Sequence, residues 1–345
     1  METDTSPQPS AIETLSEPNP RRHHYVPAGY LKGFTKENCR TGHLHVFDFS
    51  QGVRINRFSG TPLTQGFTRD LYKSELDEED DPFFLERAMR IVENPFWEVL
   101  DRITRKKNLP KARSEWNALL NFIALQAARV HGVLARMDDG CSQVLLQHLR
   151  YLTRSSEVFA REEKRRAAEG APLSFTYEQL CKWVESIESG DIKIGLNVNW
   201  RHIYMVQGMD VLLQQFARRP WRLLLLNDTS PDLICSDRPV VLTSKLKQVS
   251  GQWEAWLRRG QITFPLTRRM ALISNMAFDN ERTQSCAPYT AAAINTRIAA
   301  RAFRFVYSSS EQFHHAGRGK MVLTTTAIDD LLDARQRVQS KVVEI

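Results

Sequence analysis

His24 stands out because it lies in an otherwise apolar and aromatic segment, with Tyr25-Val26-Pro27, Tyr30, Leu31 and Phe34 close by. Packing around an imidazole that titrates near neutrality suits a general base or a metal ligand. It equally suits a histidine that donates to a carbonyl and pins the segment to the core. His23 beside it is expected to face solvent. Glu86 and Glu93 are seven positions apart in a helical pattern, so two turns place both carboxylates on one face, with Arg90 between them. Gln126 and Arg129, three apart, share a face of a strongly apolar helix. Each needs water or a buried polar partner, since burial without one costs about 1–3 kcal/mol. Glu93 or Glu86 is the natural partner for Arg129, either as part of a site or as a structural ion pair between helices. Ser236-Asp237-Arg238-Pro239 lies between the apolar stretches Asp232 to Cys235 and Val240 to Leu242. It can present oxygen ligands into a cleft, or form a turn in which both side chains cap their own backbone.

Taken together, His24, Glu93 and Asp237 are the candidate catalytic residues, and Tyr25, Gln126, Arg129 and Ser236 the candidate ligand-binding ones. Imidazole, carboxylates and guanidinium in one pocket suit phosphodiester chemistry. The carboxylates would bind a divalent metal such as Mg²⁺ or act as bases, and the arginine would neutralise phosphate. That chemistry requires the motifs to converge in space.

Other chemistries lack their residues: there is no Walker A, GxGxxG, HExxH or GxSxG sequence. His43 and His45 share one strand face but have no evident third ligand. His314-His315 reads as a surface turn beside a glycine. Arg129-Val130-His131 is too tightly spaced for the Arg-x4–6-His motif of HEPN ribonucleases.

Positioning these residues falls to a recognisable run of elements. Residues 1–20 read as a disordered tail, and 21–345 as a single α+β domain. His43 to Arg57 alternates and breaks at Ser50-Gln51-Gly52, as a β-hairpin does. Asp81-Pro82 can start a helix whose apolar residues recur from Leu85 to Ile103. Pro95 is expected to kink or restart it, with Asn94 as a second cap. Ser114 can cap a central helix, and further helical patterns cover about 142–167, 176–188 and 204–218. This helical part spans about 82–218. A β-rich part over about 221–308 follows, mainly antiparallel, with a helix at about 288–303 and another from about 326. Helices gathered in the middle and strands at the ends specify α+β, not a regular βαβ alternation.

Composition agrees with a folded chain. Its 345 residues are 42% hydrophobic, with seven Trp and seventeen Phe, enough to bury a substantial core. No apolar run approaches the length needed to cross a bilayer. The first twenty residues are acidic, polar and proline-rich, unlike a secretion signal. Five scattered cysteines form no CxxC pair. A cytoplasmic protein is the expectation. Lys plus Arg total 47 against 40 Asp plus Glu, a net +7 that favours encounter with polyanions or is an ordinary solvated surface. Basic pieces occur at Arg21-Arg22, Arg102 to Lys107, Arg161 to Arg166, Arg218-Arg219 and Arg268-Arg269.

From Arg22 the sequence reads RHHYVPAGYLKGFT, a basic residue before HYVP and then an aromatic-Leu-x-x-Phe. This resembles the N-terminal signature of the DUF4238 family. The hairpin, the Tyr72 region, LERAMRIVENPFWEVLDRI, FIALQAARVHGVL, ICSDRPVVL and FPLTRRMAL are similar to the family pattern in kind and order, over about 22–308. The resemblance implies a shared fold and no particular activity. The functional expectation is a hydrolase of nucleic acid or nucleotide phosphodiesters, metal-dependent and defence- or toxin-related. The alternatives are a non-catalytic module that binds nucleic acid or a small anionic ligand, and a structural or interaction protein.

Overall fold

Residues 22–50, 55–73, 83–129, 131–194, 198–243, 260–317 and 320–324 are described in a computed structural model. The expected tail over 1–20, the hairpin turn at 51 and 52, the acidic run and helix start at 75–82, and the helix from about 326 lie outside these residues.

The apolar run after Pro220 becomes β5 (Trp221–Leu226), the inner strand of a five-stranded sheet. It pairs antiparallel with β9 (Met270–Ser274) and parallel with β10 (Arg282–Cys286), so its first four residues are all buried. β8 (Gln261–Thr267) and β7 (Val241–Thr243) complete the order β10-β5-β9-β8-β7. A register shift between Pro265 and Thr267 lets proline sit within β8. The expected hairpin forms from β2 (Leu44–Asp48) and β3 (Asn56–Gly60). It does not stand apart: β2 also pairs with β11 (Phe305–Ser308), which pairs with β6 (Cys235–Ser236), giving a four-stranded sheet β3-β2-β11-β6. Residues 232–234, expected in a strand with Cys235, are irregular.

Apolar periodicity produces α2 (Phe84–Lys106), which buries Leu85, Met89, Phe96, Val99, Leu100 and Ile103 along one side. The helix runs through Pro95 without restarting. Buried residues on both sides of the proline hold the two halves to the same core, outweighing the one lost backbone hydrogen bond. α3 (Arg113–Ala128) is the expected central helix, but Ser114 does not cap it. Glu115 does, accepting from Lys111 N at 3.2 Å and Ala112 N at 3.3 Å. The pattern expected over 142–167 divides at Thr153 to Ser155 into α4 (His131–Leu152) and α5 (Ser156–Ala168), followed by α6 (Tyr177–Glu188) and α7 (Val198–Ala217). α2 and α7 both pack on α3. Among the described residues no helix is long and apolar enough to cross a membrane.

The signature segment joins helices to sheet. After β1 (Arg22–His24) it forms the short α1 (Ala28–Leu31). From there the Tyr30 ring stacks on Phe264 of β8, with centroids 5.3 Å apart, and meets Phe122 of α3 edge-on. Its hydroxyl donates to Pro265 O at 2.5 Å. A second core, between the two sheets and α8 (Pro288–Arg301), contains Phe47, Leu224, Ile234, Ile294 and Val306.

Candidate functional site

β1 is positioned by pairing antiparallel with β4 (Phe67–Arg69), His24 lying opposite Phe67. Gly66 makes the approach possible. Its φ is +70°, its carbonyl accepts from Val26 N at 3.0 Å, and a β-carbon there would sit 2.7 Å from Val26 O. Alternation along β1 turns His23 inward, against the expectation that it faces solvent. It is fully buried, stacks on Tyr72, and its Nδ1 accepts from Tyr72 N at 2.7 Å.

Three of the predicted residues, Glu93, Gln126 and Arg129, come together at the end of α3, and His24 lies within the field of Arg129. Arg129 is 1% exposed, and its Nη1 donates to Glu93 Oε1 at 2.5 Å. With the Gln126 amide oriented so that its oxygen faces the guanidinium, that oxygen accepts from Arg129 Nε at 3.0 Å and also from Nη2. Tyr72 donates to Arg129 O at 3.5 Å, a long contact. His24 feels the same guanidinium. Burial first, then the charge of Arg129, hold its pKa down at about 4, and its Nε2 is buried with no partner among the described residues. Glu86, on the same α2 face, is pushed upward by burial and by the charge of Glu93. The floor of this cluster is apolar: Tyr72, Leu85, Met89, Leu125, Ala128 and Met205.

Ser236 and Asp237 belong to another network. Asp237 is 4% exposed, and its carboxylate accepts from three successive backbone amides. These are Phe303 N at 2.8 Å, Arg304 N at 2.6 Å and Phe305 N at 2.7 Å. Ser236 Oγ accepts from Arg238 N at 3.2 Å, a serine turn. Asp237 thus fastens the entry to β11, while the Ser236 side chain shapes its own turn. Tyr25 is buried and lies on this side. Its pKa is pushed up to about 12, by burial first and then by the charge of Asp237, and its hydroxyl meets that of Tyr307. The two carboxylates expected to share a divalent cation, Glu93 and Asp237, therefore have separate commitments. Among the described residues no three His, Cys, Asp or Glu side chains lie together as a metal cage.

The paired histidines noted in the sequence have different settings. His43 and His45 meet at 4.4 Å between ring centroids. His315, expected in a surface turn, is buried within β12 (His314–Ala316), which pairs with β13 (Val322–Thr324) and packs on α8. The position of β13 in sequence gave no cue to that pairing.

A cleft of about 400 Å³ opens elsewhere, and none of the seven predicted site residues lines it. One wall is the signature segment with Gly29, Lys32, Gly33 and Lys36. The second is the end of α2, where Leu100 and Thr104 share a face and Lys107 follows as the left-handed C-cap. The third is the β8–β9 turn, Thr267 to Met270, beside Leu225 and Leu226 of β5. The walls are pressed close: Arg268 N donates to Gly33 O at 2.8 Å, and a β-carbon on Gly33 would meet Thr267 Cγ2 at 3.2 Å. Arg268 and Arg269 both bind Asp232, at 2.9 and 3.0 Å, and Arg269 also caps Ser230 O. Lys32, Lys36 and Lys107 make no ion pair with a described residue, while Asp101 and Asp228 supply the negative charge of the lining. Two of the basic pieces noted in sequence, Arg102 to Lys107 and Arg268-Arg269, thus meet at one place. Arg219 by contrast is buried and donates to Ser274 Oγ at 3.0 Å, a structural role. Lys32 in the signature and Lys36 just after it, four apart, were a signal that the reading of the sequence passed over.

No curated protein and no solved structure matches the chain. A family model described as protein of unknown function, DUF4238, matches residues 22–312, most of the chain, and the protein belongs to that family.

Proposed function

We propose that the protein is a binding module for a small phosphate-bearing anion, held in the cleft between the signature segment, the end of α2 and the β8–β9 turn. The observation that carries this reading is the set of three lysines, Lys32, Lys36 and Lys107, which line one concavity and make no ion pair with a described residue, Glu37 acting on Lys36 only through its field. An ammonium group not tied to a carboxylate is available to a ligand, and a concave low-dielectric wall strengthens the attraction. Arg268 and Arg269, held by Asp232, shape the wall and add positive field. The end of α2 brings carbonyl dipoles that oppose an anion, and Lys107 offsets them. Calorimetric titration with inorganic pyrophosphate tests the reading. Saturable binding is expected to weaken about tenfold or more in a Lys36→Gln/Lys107→Gln variant, which changes only exposed side chains. Absence of binding, or binding indifferent to both lysines, overturns it.

A second reading, phosphodiester hydrolysis with His24 as base, is favoured by a neutral imidazole whose buried Nε2 has no hydrogen-bond partner among the described residues. Turnover of RNA, DNA or a model phosphodiester that disappears in His24→Gln would establish it. Intact substrates with the wild-type protein would remove it.

A further inference from the structure

Resting on the anion-binding reading, we infer that the occupant of the cleft is a mononucleotide. Inorganic phosphate would fill only a small part of about 400 Å³, a volume in the range of sites for drug-sized ligands. The lining is also two-sided. Lys32, Lys36 and Lys107 offer charge, whereas Leu100, Leu225, Leu226 and Met270 offer an apolar wall. A ligand that satisfies both has an anionic head and a flat, largely apolar body. A sugar-linked heterocycle with a phosphate has that shape.

The polar groups narrow the class further. Thr35 and Thr104 spend their hydroxyl protons on Lys32 O and Leu100 O, both at 2.8 Å, and Thr267 Oγ1 accepts from Arg269 N. Asn38 differs. Its side chain is exposed on the cleft, is held out by a left-handed backbone with φ of 49°, and has no hydrogen-bond partner among the described residues. A free amide presents a donor and an acceptor side by side, the pattern that pairs with the edge of a purine or pyrimidine. A purely aliphatic phosphate would leave that pair unused. A long polynucleotide would need a groove continuing past the cleft, whereas a mononucleotide is matched by about 400 Å³ alone.

Titrations of the full chain with AMP, ribose 5-phosphate, adenosine, pyrophosphate and a short single-stranded oligonucleotide separate the possibilities. AMP is expected to bind about tenfold or more tighter than ribose 5-phosphate. Asn38→Gly, which removes the amide and accepts the left-handed backbone, is expected to erase most of that advantage while leaving ribose 5-phosphate unchanged. Equal binding of AMP, ribose 5-phosphate and pyrophosphate overturns the nucleotide inference and leaves the anion site standing. An oligonucleotide that binds where AMP does not also overturns it. If none of the anions binds, both readings fall.

Discussion

Arg129 is enclosed by two partners that need it, Glu93 for charge and Gln126 for two donors, while its charge opposes protonation of His24. Removing one member of such a set strands the others. Arg129→Ala is expected to lose about 3 kcal/mol, the low end of the range for breaking a buried pair, because Glu93 keeps some contact with water. Chemical denaturation with urea measures it. His24 makes stability depend on pH. Its folded pKa lies below its unfolded value, so the unfolded chain binds the extra proton. Stability is therefore complete above about pH 6.5 and is lost as pH falls toward 4. The loss is on the order of 3 kcal/mol at most, before solvent screening. Glu86 acts in the opposite sense, its raised pKa making stability fall as pH rises through that value. A pH series of melts is expected to show the acid-side decline in wild type and a flatter curve in His24→Gln. The apolar surroundings of His24 and the need of Arg129 for a carboxylate were legible from residue types alone. Which of His23 and His24 turns inward was not, because that depends on pairing with residues some forty-five positions later.

Elements are fixed in place by a few polar contacts at their ends. Asp237 binds three amides at the start of β11, and replacing its charge with an amide leaves at least one of them without a good acceptor. Asp237→Asn is expected to cost about 2 kcal/mol, seen as a lower denaturation midpoint, with anion binding unchanged because the cleft is elsewhere. Gly66→Ala is expected to destabilise by roughly 1–3 kcal/mol, since both the positive φ and the approach to Val26 O exclude a side chain. Helix periodicity showed α2 and α3 in the sequence. The continuity of α2 through Pro95 was hidden, because it comes from tertiary burial of Phe96, Val99 and Leu100 and not from local preference. β10 and the β12–β13 pair were hidden too, β10 being polar and the other two only three residues long, so that their neighbours define them.

At the scale of the whole molecule, the net +7 resolves into groups with different uses. Arg165 and its neighbours on α5 pair with Glu162 and Glu169, and Arg219 is buried in the fold. The cleft is where ammonium groups without an ion pair among the described residues gather from positions 32, 36 and 107. Composition showed the excess of positive charge, but its convergence depends on the approach of three walls that are distant in the chain. Lysine modification followed by peptide mass mapping tests the central claim most directly. Pyrophosphate is predicted to protect Lys32, Lys36 and Lys107 while exposed Lys182 on α6 reacts as before. Equal reactivity of the three cleft lysines with and without pyrophosphate would contradict the claim.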